Sequence, residues 1–343
     1  MSLKTKQICL HCSLVAFFLL LLQSTSAQVD TAAISQLLQK NQKQLSSNVA
    51  ALVWKDGKVI YQKELGEYFT SKIQAPAGMA SQWLTAAVVM AVVADGKLSL
   101  DDEVGKYLPV MKSYMKGYIT IRHCLANITG IENEKSLAKI LNRRSAETLE
   151  DEVAKNIAPR EIINNTGKEF HYGGLGPSIA ARVVEIVTRK SFERVAQEKI
   201  FRPLKMKNTN FGNDGRAPYA AGGAVTTAND YLNFLIMLLN KGQFEGKQVL
   251  SEQAIAEIEK AQMSGLPVKF MPKPMEGSEY GLGVFIQENG KLISSPGFNG
   301  VWPWIDRCRN YAFILLPGAP LNDPRKELAD QLRQLLEAGI SCQ

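Results

Sequence analysis

Residues 78–87 of this 343-residue chain, GMASQWLTAA, begin its most informative segment. From Met79 to Ala94 the residues are good helix formers and are largely apolar on every side, and Gly96 follows as a helix stop. A helix that is apolar all round lies inside a protein rather than on its surface. The segment therefore predicts a buried central helix against which other elements pack.

Strand patterns lie at the two ends of the chain. Near the N terminus, residues 48–54 and 59–65 flank the turn pair Asp56-Gly57, which is typical of a hairpin. Near the C terminus, a final helix is predicted to start with a proline cap at Asn322-Asp323-Pro324 and to end near Glu337. The late strand patterns cover residues 280–287, 291–294 and 311–316.

The middle of the chain carries helical patterns and almost no strand signal. These patterns cover residues 121–127, 137–141, 146–156, 177–188 and 191–200. Strands at both ends with helices between them predict an α+β fold, in which one sheet is built from the two termini and a helical region is inserted. We expect one domain over residues 28–343, with an α/β part at 28–97 and 213–343 and a mainly helical part at 98–212.

The first residues resemble a secretory signal peptide. Lys4 and Lys6 precede an apolar core from Leu14 to Leu22, and the small residues before position 28 suit cleavage after Ala27. A core this short does not span a bilayer of about 30 Å. We expect a secreted or periplasmic protein without a stable membrane anchor after cleavage; a retained N-terminal anchor is the alternative.

Composition excludes several classes of function. The formal charge of +7 falls to +5 when Lys4 and Lys6 are removed, and the basic residues are scattered, so we expect no nucleic-acid partner. Cys124, Cys308 and Cys342 remain after cleavage, too few for a disulfide framework or a zinc motif. At most one pair could form, and Cys124 is expected to be a buried small hydrophobe. We expect no metal and no cofactor.

Seven stretches, taken in order, suggest a family. They are WLTAA (83–87) continuing through DGKLSLDD (95–102) and YLP (107–109), ITIRH (119–123) with TGI (129–131), FHY (170–172), IFRPLKM (200–206), GGAVTTANDY (222–231), YGLG (280–283) and SPG (295–297). Together they resemble the β-lactamase-related serine hydrolases, which include class C β-lactamases, DD-peptidase-like penicillin-binding proteins and related esterases. The resemblance implies a β-lactamase/transpeptidase-like fold with a mainly antiparallel sheet and flanking helices.

The resemblance also implies a nucleophilic serine and a lysine three residues later on the same helix face. In this register the serine position is Met79 and the lysine position is Gln82. A thioether cannot form an acyl-enzyme, and an amide cannot act as its base. Ser81 lies about 200° around the helix from Met79 at about 100° per residue, so it is not expected to replace the serine.

Two further family motifs are only partly kept. Tyr172 matches the tyrosine that passes a proton to the leaving group in this family, but Gly174 stands where an asparagine is expected. In the strand motif, Ser295 replaces the cation while Gly297 is retained. The oxyanion position is formed in this family by the backbone amides of the residues that correspond to Met79 and Phe298, so we expect these two donors to remain.

The histidines are not expected to be catalytic. His123 lies in a packing segment, and His171 alternates outward between Phe170 and Tyr172, so it is predicted to be solvated. The leading hypothesis is an exported, catalytically inactive family member whose cleft binds a peptide- or ester-like ligand. Two alternatives remain: an active hydrolase with a non-standard nucleophile such as Ser295 with Tyr172, and a structural or protein-interaction role in the cell envelope. The sequence does not indicate an oligomeric state.

Overall fold

The computed structural model describes residues 29–134, 136–141, 146–212 and 217–342, so the predicted signal peptide lies outside the described residues. Within these ranges the helices are α1 (Thr31–Lys40), α2 (Ser81–Ala94), α3 (Pro109–Ser113), α4 (Ile121–Leu125), α5 (Leu137–Leu141), α6 (Leu149–Asp151), α7 (Leu175–Thr188), α8 (Phe192–Ala196), α9 (Ala228–Leu239), α10 (Glu252–Ile258) and α11 (Lys326–Gly339). The π-helical segments Glu152–Ile157 and Gln197–Phe201 continue α6 and α8.

The strands are β1 (Val49–Lys55), β2 (Lys58–Leu65), β3 (Ala75–Pro76), β4 (Phe170–His171), β5 (Val225–Thr226), β6 (Gln243–Phe244), β7 (Lys247–Gln248), β8 (Val268–Phe270), β9 (Glu279–Tyr280), β10 (Phe285–Gln287), β11 (Leu292–Ser294), β12 (Trp302–Asp306) and β13 (Tyr311–Pro317). Seven of them form one antiparallel sheet in the order β2-β1-β13-β12-β11-β10-β9. The hairpin β1-β2 joins the C-terminal strands through β13, with Val49 opposite Pro317. The predicted α+β fold with a sheet built from both ends of the chain is confirmed, whereas the boundaries proposed within the domain stay a prediction.

The central helix α2 is buried along nearly its whole length. A 3₁₀ turn, Gly78–Ala80, leads into it, and every residue from Ser81 to Val92 is buried. The Trp83 ring packs edge-on against Phe234 of α9 at 5.8 Å between ring centroids. The Tyr231 hydroxyl of α9 donates to the Ala80 carbonyl at 2.9 Å. Helix α9 therefore holds the first turn of α2 in place by both packing and hydrogen bonding.

The segment predicted as one strand at residues 280–287 is divided into β9 and β10. A Cβ at Gly281 would lie 2.2 Å from the Ile258 carbonyl oxygen, and one at Gly283 would lie 2.6 Å from that of Gln82. Gly283 also has a φ of +77°. The chain bends here because two glycines bring its backbone against α10 and α2, where strand geometry cannot continue.

The start of the final helix differs from the prediction. Helix α11 begins at Lys326, and its N-cap is Arg325 at φ 58° rather than the predicted Asn322-Asp323-Pro324 cap. Asp323 instead accepts a hydrogen bond from the Arg325 amide at 2.7 Å, which completes a local turn before the helix. Strand β12 is the main element that the sequence patterns missed.

One disulfide closes the C-terminal region. Cys308, in the turn between β12 and β13, is bonded to Cys342 just after α11, and Cys124 is a free, buried thiol as expected. The bond joins the last residues described to the sheet. In the described part of the chain, no helix is long and apolar enough to cross a membrane.

The double variant Cys308→Ser/Cys342→Ser is expected to lose about 2–4 kcal/mol of unfolding free energy, because the unfolded chain regains the freedom that the 34-residue separation restricts. Urea unfolding measures this loss. A reducing agent should produce the same loss in the wild type and none in the variant. Equal stability of the wild type with and without reductant would contradict the prediction.

Candidate functional site

Met79 occupies the position predicted for the nucleophile and lies fully buried in the turn before α2. Its amide donates to the Gly297 carbonyl at 3.1 Å. A Cβ at Gly222 would lie 3.3 Å from the Met79 sulfur, so the thioether packs against that backbone. The side chain is therefore a packing element of the core.

Gly78 and Gly297 allow this turn to meet the end of β11. Gly78 has a φ of +57°, and a Cβ there would lie 2.5 Å from the Gly297 carbonyl oxygen. A Cβ at Gly297 would lie 2.4 Å from the Ala77 carbonyl oxygen. Only residues without a side chain permit the two backbones to approach this closely.

Gln82 lies at the lysine position, and both the nitrogen and the oxygen of its side-chain amide form hydrogen bonds. Its Nε2 donates to the Gly173 carbonyl at 3.2 Å. Its Oε1 accepts from Asn127 Nδ2 at 3.1 Å and from the Tyr280 hydroxyl at 2.9 Å. The Asn127 Oδ1 in turn accepts from the Gly173 amide at 3.2 Å. These residues form a buried, uncharged network, which we call the Gln82 network (Gln82, Asn127, Gly173 and Tyr280).

Tyr172 lies directly beside this network but is not hydrogen-bonded to it. Its ring packs against Tyr280 at 5.8 Å, Phe285 at 5.4 Å and Phe298 at 5.6 Å between ring centroids. Burial, with a smaller contribution from the neighbouring tyrosines, raises the pKa of Tyr172 well above its usual value. Among the described residues, no group forms a hydrogen bond with its hydroxyl. A buried phenol with a raised pKa is a poor proton shuttle near neutral pH.

The volume beside Gly174 is occupied by Tyr219. A Cβ at Gly174 would lie 2.2 Å from the Tyr219 hydroxyl, which donates to the Ile140 carbonyl at 3.1 Å. Gly174 replaces the family's asparagine, and Tyr219 therefore occupies the region next to it where an asparagine side chain would lie. The sequence did not single out Tyr219, because its position follows only from the three-dimensional fold.

The strand motif is buried as well. Ser295 is 1% exposed, and its hydroxyl donates to the Gly283 carbonyl at 3.0 Å. Phe298, which follows the motif glycine, adopts a φ of +57°. Its amide donates to no acceptor among the residues that the structure describes. Of the two predicted oxyanion donors, the Phe298 amide thus has no acceptor among the described residues, and the Met79 amide is engaged by Gly297.

The remaining candidates have structural environments. Ser81 donates to the Gly78 carbonyl at 2.7 Å and accepts from the Ala224 amide at 3.0 Å. His123 accepts from the Thr120 amide at 3.1 Å in a capping box at the start of α4. The prediction that His171 is solvated is wrong: it is 7% exposed, because β4 pairs with β8 and its ring packs against Phe270.

The structure brings together the predicted positions Met79, Gln82, Tyr172, Gly174, Ser295, Gly297 and Phe298 at one place between α2 and the sheet. Their functional roles stay predictions. Sequence reasoning missed Asn127 and the role of Tyr280, although both lie within or beside quoted motifs, TGI and YGLG. A polar residue within or beside a glycine-containing motif could have indicated a role in the site. Sequence spacing, however, does not show which residue that side chain contacts in the fold.

Comparisons with known proteins agree with the fold. The family model described as Beta-lactamase matches residues 34–337. A protein from Bacteroides dorei DSM 17855 with a provisional beta-lactamase assignment has a solved structure that superposes with a TM-score of 0.79, at 27% identity over 90% of this chain and 98% of that one.

Two curated relatives come from Staphylococcus aureus. Protein flp of strain MW2 is 25% identical over 201 residues, which are 56% of this chain and 39% of that protein. A teichoic acid D-alanine hydrolase is 28% identical over 134 residues, which are 39% of this chain and 32% of that protein. The chain therefore matches well under half the length of either relative.

Restoring the family's lysine is expected to destabilise this protein. In Gln82→Lys the ammonium would face the Asn127 and Tyr280 donors without a carboxylate, so we expect a loss of about 3–5 kcal/mol of unfolding free energy. Urea unfolding followed by circular dichroism measures it. The matched control is Gln36→Lys on the exposed face of α1, which should change stability by less than about 0.5 kcal/mol. Equal stability of the two variants would show that the Gln82 network is dispensable.

Tyr172→Phe is expected to leave stability near neutral pH within about 0.5 kcal/mol of the wild type, because the hydroxyl has no partner among the described residues. Above about pH 10 the unfolded tyrosine ionises while the buried one stays protonated, so wild-type stability falls by about 1.4 kcal/mol per pH unit for each such group. The variant should lose less stability between about pH 9 and about pH 11.

The control for this experiment is Tyr280→Phe. It removes hydrogen bonds to Gln82 and Asn127, so a loss of about 1–3 kcal/mol is expected already at neutral pH. Urea unfolding at several pH values compares both variants with the wild type. A neutral-pH loss for Tyr172→Phe as large as that for Tyr280→Phe would mean that the Tyr172 hydroxyl has an important partner.

Proposed function

The chain belongs to the beta-lactamase family, and we propose that it is an exported member that binds a ligand without hydrolysing it. The observation that carries the proposal is the environment of the two positions where the family has serine and lysine. Met79 is a packed core side chain, and Gln82 is the centre of a complete neutral network. Neither position retains a group that can attack a carbonyl or take up a proton.

The energetic consequence of these replacements is large. Where a comparable catalytic unit has been dissected, loss of the nucleophile lowers the rate by about 10⁶-fold, and loss of its base adds little because the groups act together. Tyr172 does not compensate, because burial raises its pKa and its hydroxyl is not bonded to any described residue. The site therefore supports binding better than catalysis.

The alternative of a non-standard nucleophile is less well supported. The hydroxyls of Ser81 and Ser295 both donate to backbone carbonyls, at 2.7 and 3.0 Å. A carbonyl oxygen accepts a hydrogen bond but does not remove the proton, so neither serine has an activating base in contact.

A carbonyl-containing ligand is the class that best fits the remaining polar group. The Phe298 amide is half of the oxyanion pair expected from the family, and a single backbone donor can hold a ligand carbonyl without covalent chemistry. One curated relative is described as a teichoic acid D-alanine hydrolase, which supports a peptide- or ester-like ligand. We propose that such a ligand is bound at this place and released unchanged.

Activity-based labelling tests the proposal. The mature protein is incubated with nitrocefin, a fluorescent penicillin and a fluorophosphonate, beside an active serine β-lactamase as positive control. We expect no turnover and no stable label on this protein. Labelling that maps to a single serine and disappears in Ser295→Ala or Ser81→Ala would establish the hydrolase alternative instead.

Ligand binding is examined separately with D-alanine methyl ester. We expect a saturable rise in melting temperature and full recovery of the intact ester by mass spectrometry. A rise accompanied by faster hydrolysis than in buffer would contradict inactivity. No rise with this ester or with acetyl-D-alanyl-D-alanine would favour the structural or protein-interaction role.

A further inference from the structure

The residues expected to hold a ligand are closed off from solvent in this structure. None of the five is more than 1% exposed: Met79, Gln82, Tyr172, Ser295 and Phe298. A ligand carbonyl has to come within about 3 Å of the Phe298 amide to accept its hydrogen bond. Binding at this place therefore requires that a neighbouring side chain moves aside.

Tyr219 fills space beside these residues and is itself more exposed than they are, at 8%. A Cβ at Gly222 would lie 2.9 Å from one edge of its ring and 3.3 Å from the Met79 sulfur. At the other end of the side chain, the hydroxyl lies 2.2 Å from the point where a Cβ of Gly174 would begin. The ring thus extends from Gly222 to Gly174, because two residues without side chains leave room for it.

Tyr219 is close to two of the expected site residues. The Met79 sulfur and the Tyr219 ring both lie beside Gly222, as the distances from its Cβ position show. Burial raises the pKa of Tyr172, and Tyr280 and Tyr219 add to this rise as close neighbours. One tyrosine therefore lies near both the nucleophile position and the position of the family's proton-transferring tyrosine.

The hydrogen bonds around Tyr219 fix its backbone more firmly than its side chain. Its carbonyl accepts from the Gly222 amide at 3.0 Å, and the next carbonyl, that of Ala220, accepts from the Thr85 hydroxyl of α2 at 2.6 Å. The tyrosine hydroxyl donates to the Ile140 carbonyl at 3.1 Å, a neutral hydrogen bond of a kind that contributes only modestly to stability. Rotation of the side chain breaks none of these backbone contacts.

We propose that Tyr219 is an autoinhibitory side chain, which occupies the site in its closed form and has to swing out before a ligand reaches the Phe298 amide. The apparent affinity of a ligand falls in proportion to the fraction of protein molecules in which the site is open. The identity of the ligand rests on the proposed function, but the closure is measurable without any ligand.

A cysteine at position 79 reports whether the site is open. The full mature protein carrying Met79→Cys is treated with iodoacetamide, and alkylation is followed by intact-protein mass spectrometry. The wild type gives the background, because Cys308 and Cys342 form a disulfide, while Cys124 is fully buried and burial raises its pKa. A buried thiol of this kind reacts slowly.

The ring of Tyr219 determines the expected rates. Adding Tyr219→Ala to Met79→Cys should raise the alkylation rate at least about tenfold, because the closed form is lost. Tyr219→Phe keeps the ring but loses the hydrogen bond to Ile140, so the rate should rise by about twofold to tenfold. The matched control is Tyr107→Ala, which removes a half-buried tyrosine bonded to Asp102, outside the site, and should leave the rate unchanged.

Two results would overturn the proposal. One is an alkylation rate that is the same with Tyr219 and with Tyr219→Ala. The other is an equal rise with Tyr107→Ala, which would mean that general loosening of the fold exposes position 79. D-alanine methyl ester separates this proposal from the proposed function: faster alkylation without ester binding to Tyr219→Ala would retain the closure and reject the ligand.

Discussion

The hydrogen bond from the Met79 amide to the Gly297 carbonyl fixes the start of the central helix against the sheet. Gly78 and Gly297 make this contact possible because neither presents a Cβ to the opposing backbone. The same contact engages one of the two amides that the family resemblance predicts as oxyanion donors. Close packing at this point and the engagement of the Met79 amide thus have one structural cause.

The second constraint is electrostatic. A lysine at position 82 would introduce a cation in the first turn of α2, where every residue is buried and a charge needs a partner. Gln82 has similar length and is neutral, and its amide offers a donor and an acceptor at once. The donor meets the Gly173 carbonyl and the acceptor meets Asn127 and Tyr280. Position 82 is in this way part of the hydrogen-bonded core.

Much of the fold could be predicted from local patterns. The largely apolar stretch after Met79 indicated the buried helix, and strand patterns at both ends of the chain indicated the sheet. The proline cap proposed at 322–324 was wrong because Arg325 takes a left-handed conformation and the helix starts only after it. Likewise His171 is buried through pairing between β4 and β8, which are about 100 residues apart and invisible to a local pattern.

The candidate site was predictable in one respect and not in another. Register from the family motifs located Met79, Gln82, Tyr172 and Ser295, because those motifs are defined by sequence spacing. The partners that surround them could not be found in this way. Asn127 and Tyr219 reach the site from distant segments, and their hydrogen-bond partners depend on the packing of whole elements.

Tyr219 restricts which residues can stand at position 174. Its hydroxyl lies where a side chain at position 174 would begin, and it is held there by the Ile140 carbonyl. An asparagine at position 174 would fit only if the tyrosine moved or was replaced. The single substitution Gly174→Asn would therefore overcrowd this region, so the asparagine expected from the family is excluded by a residue outside the motifs themselves.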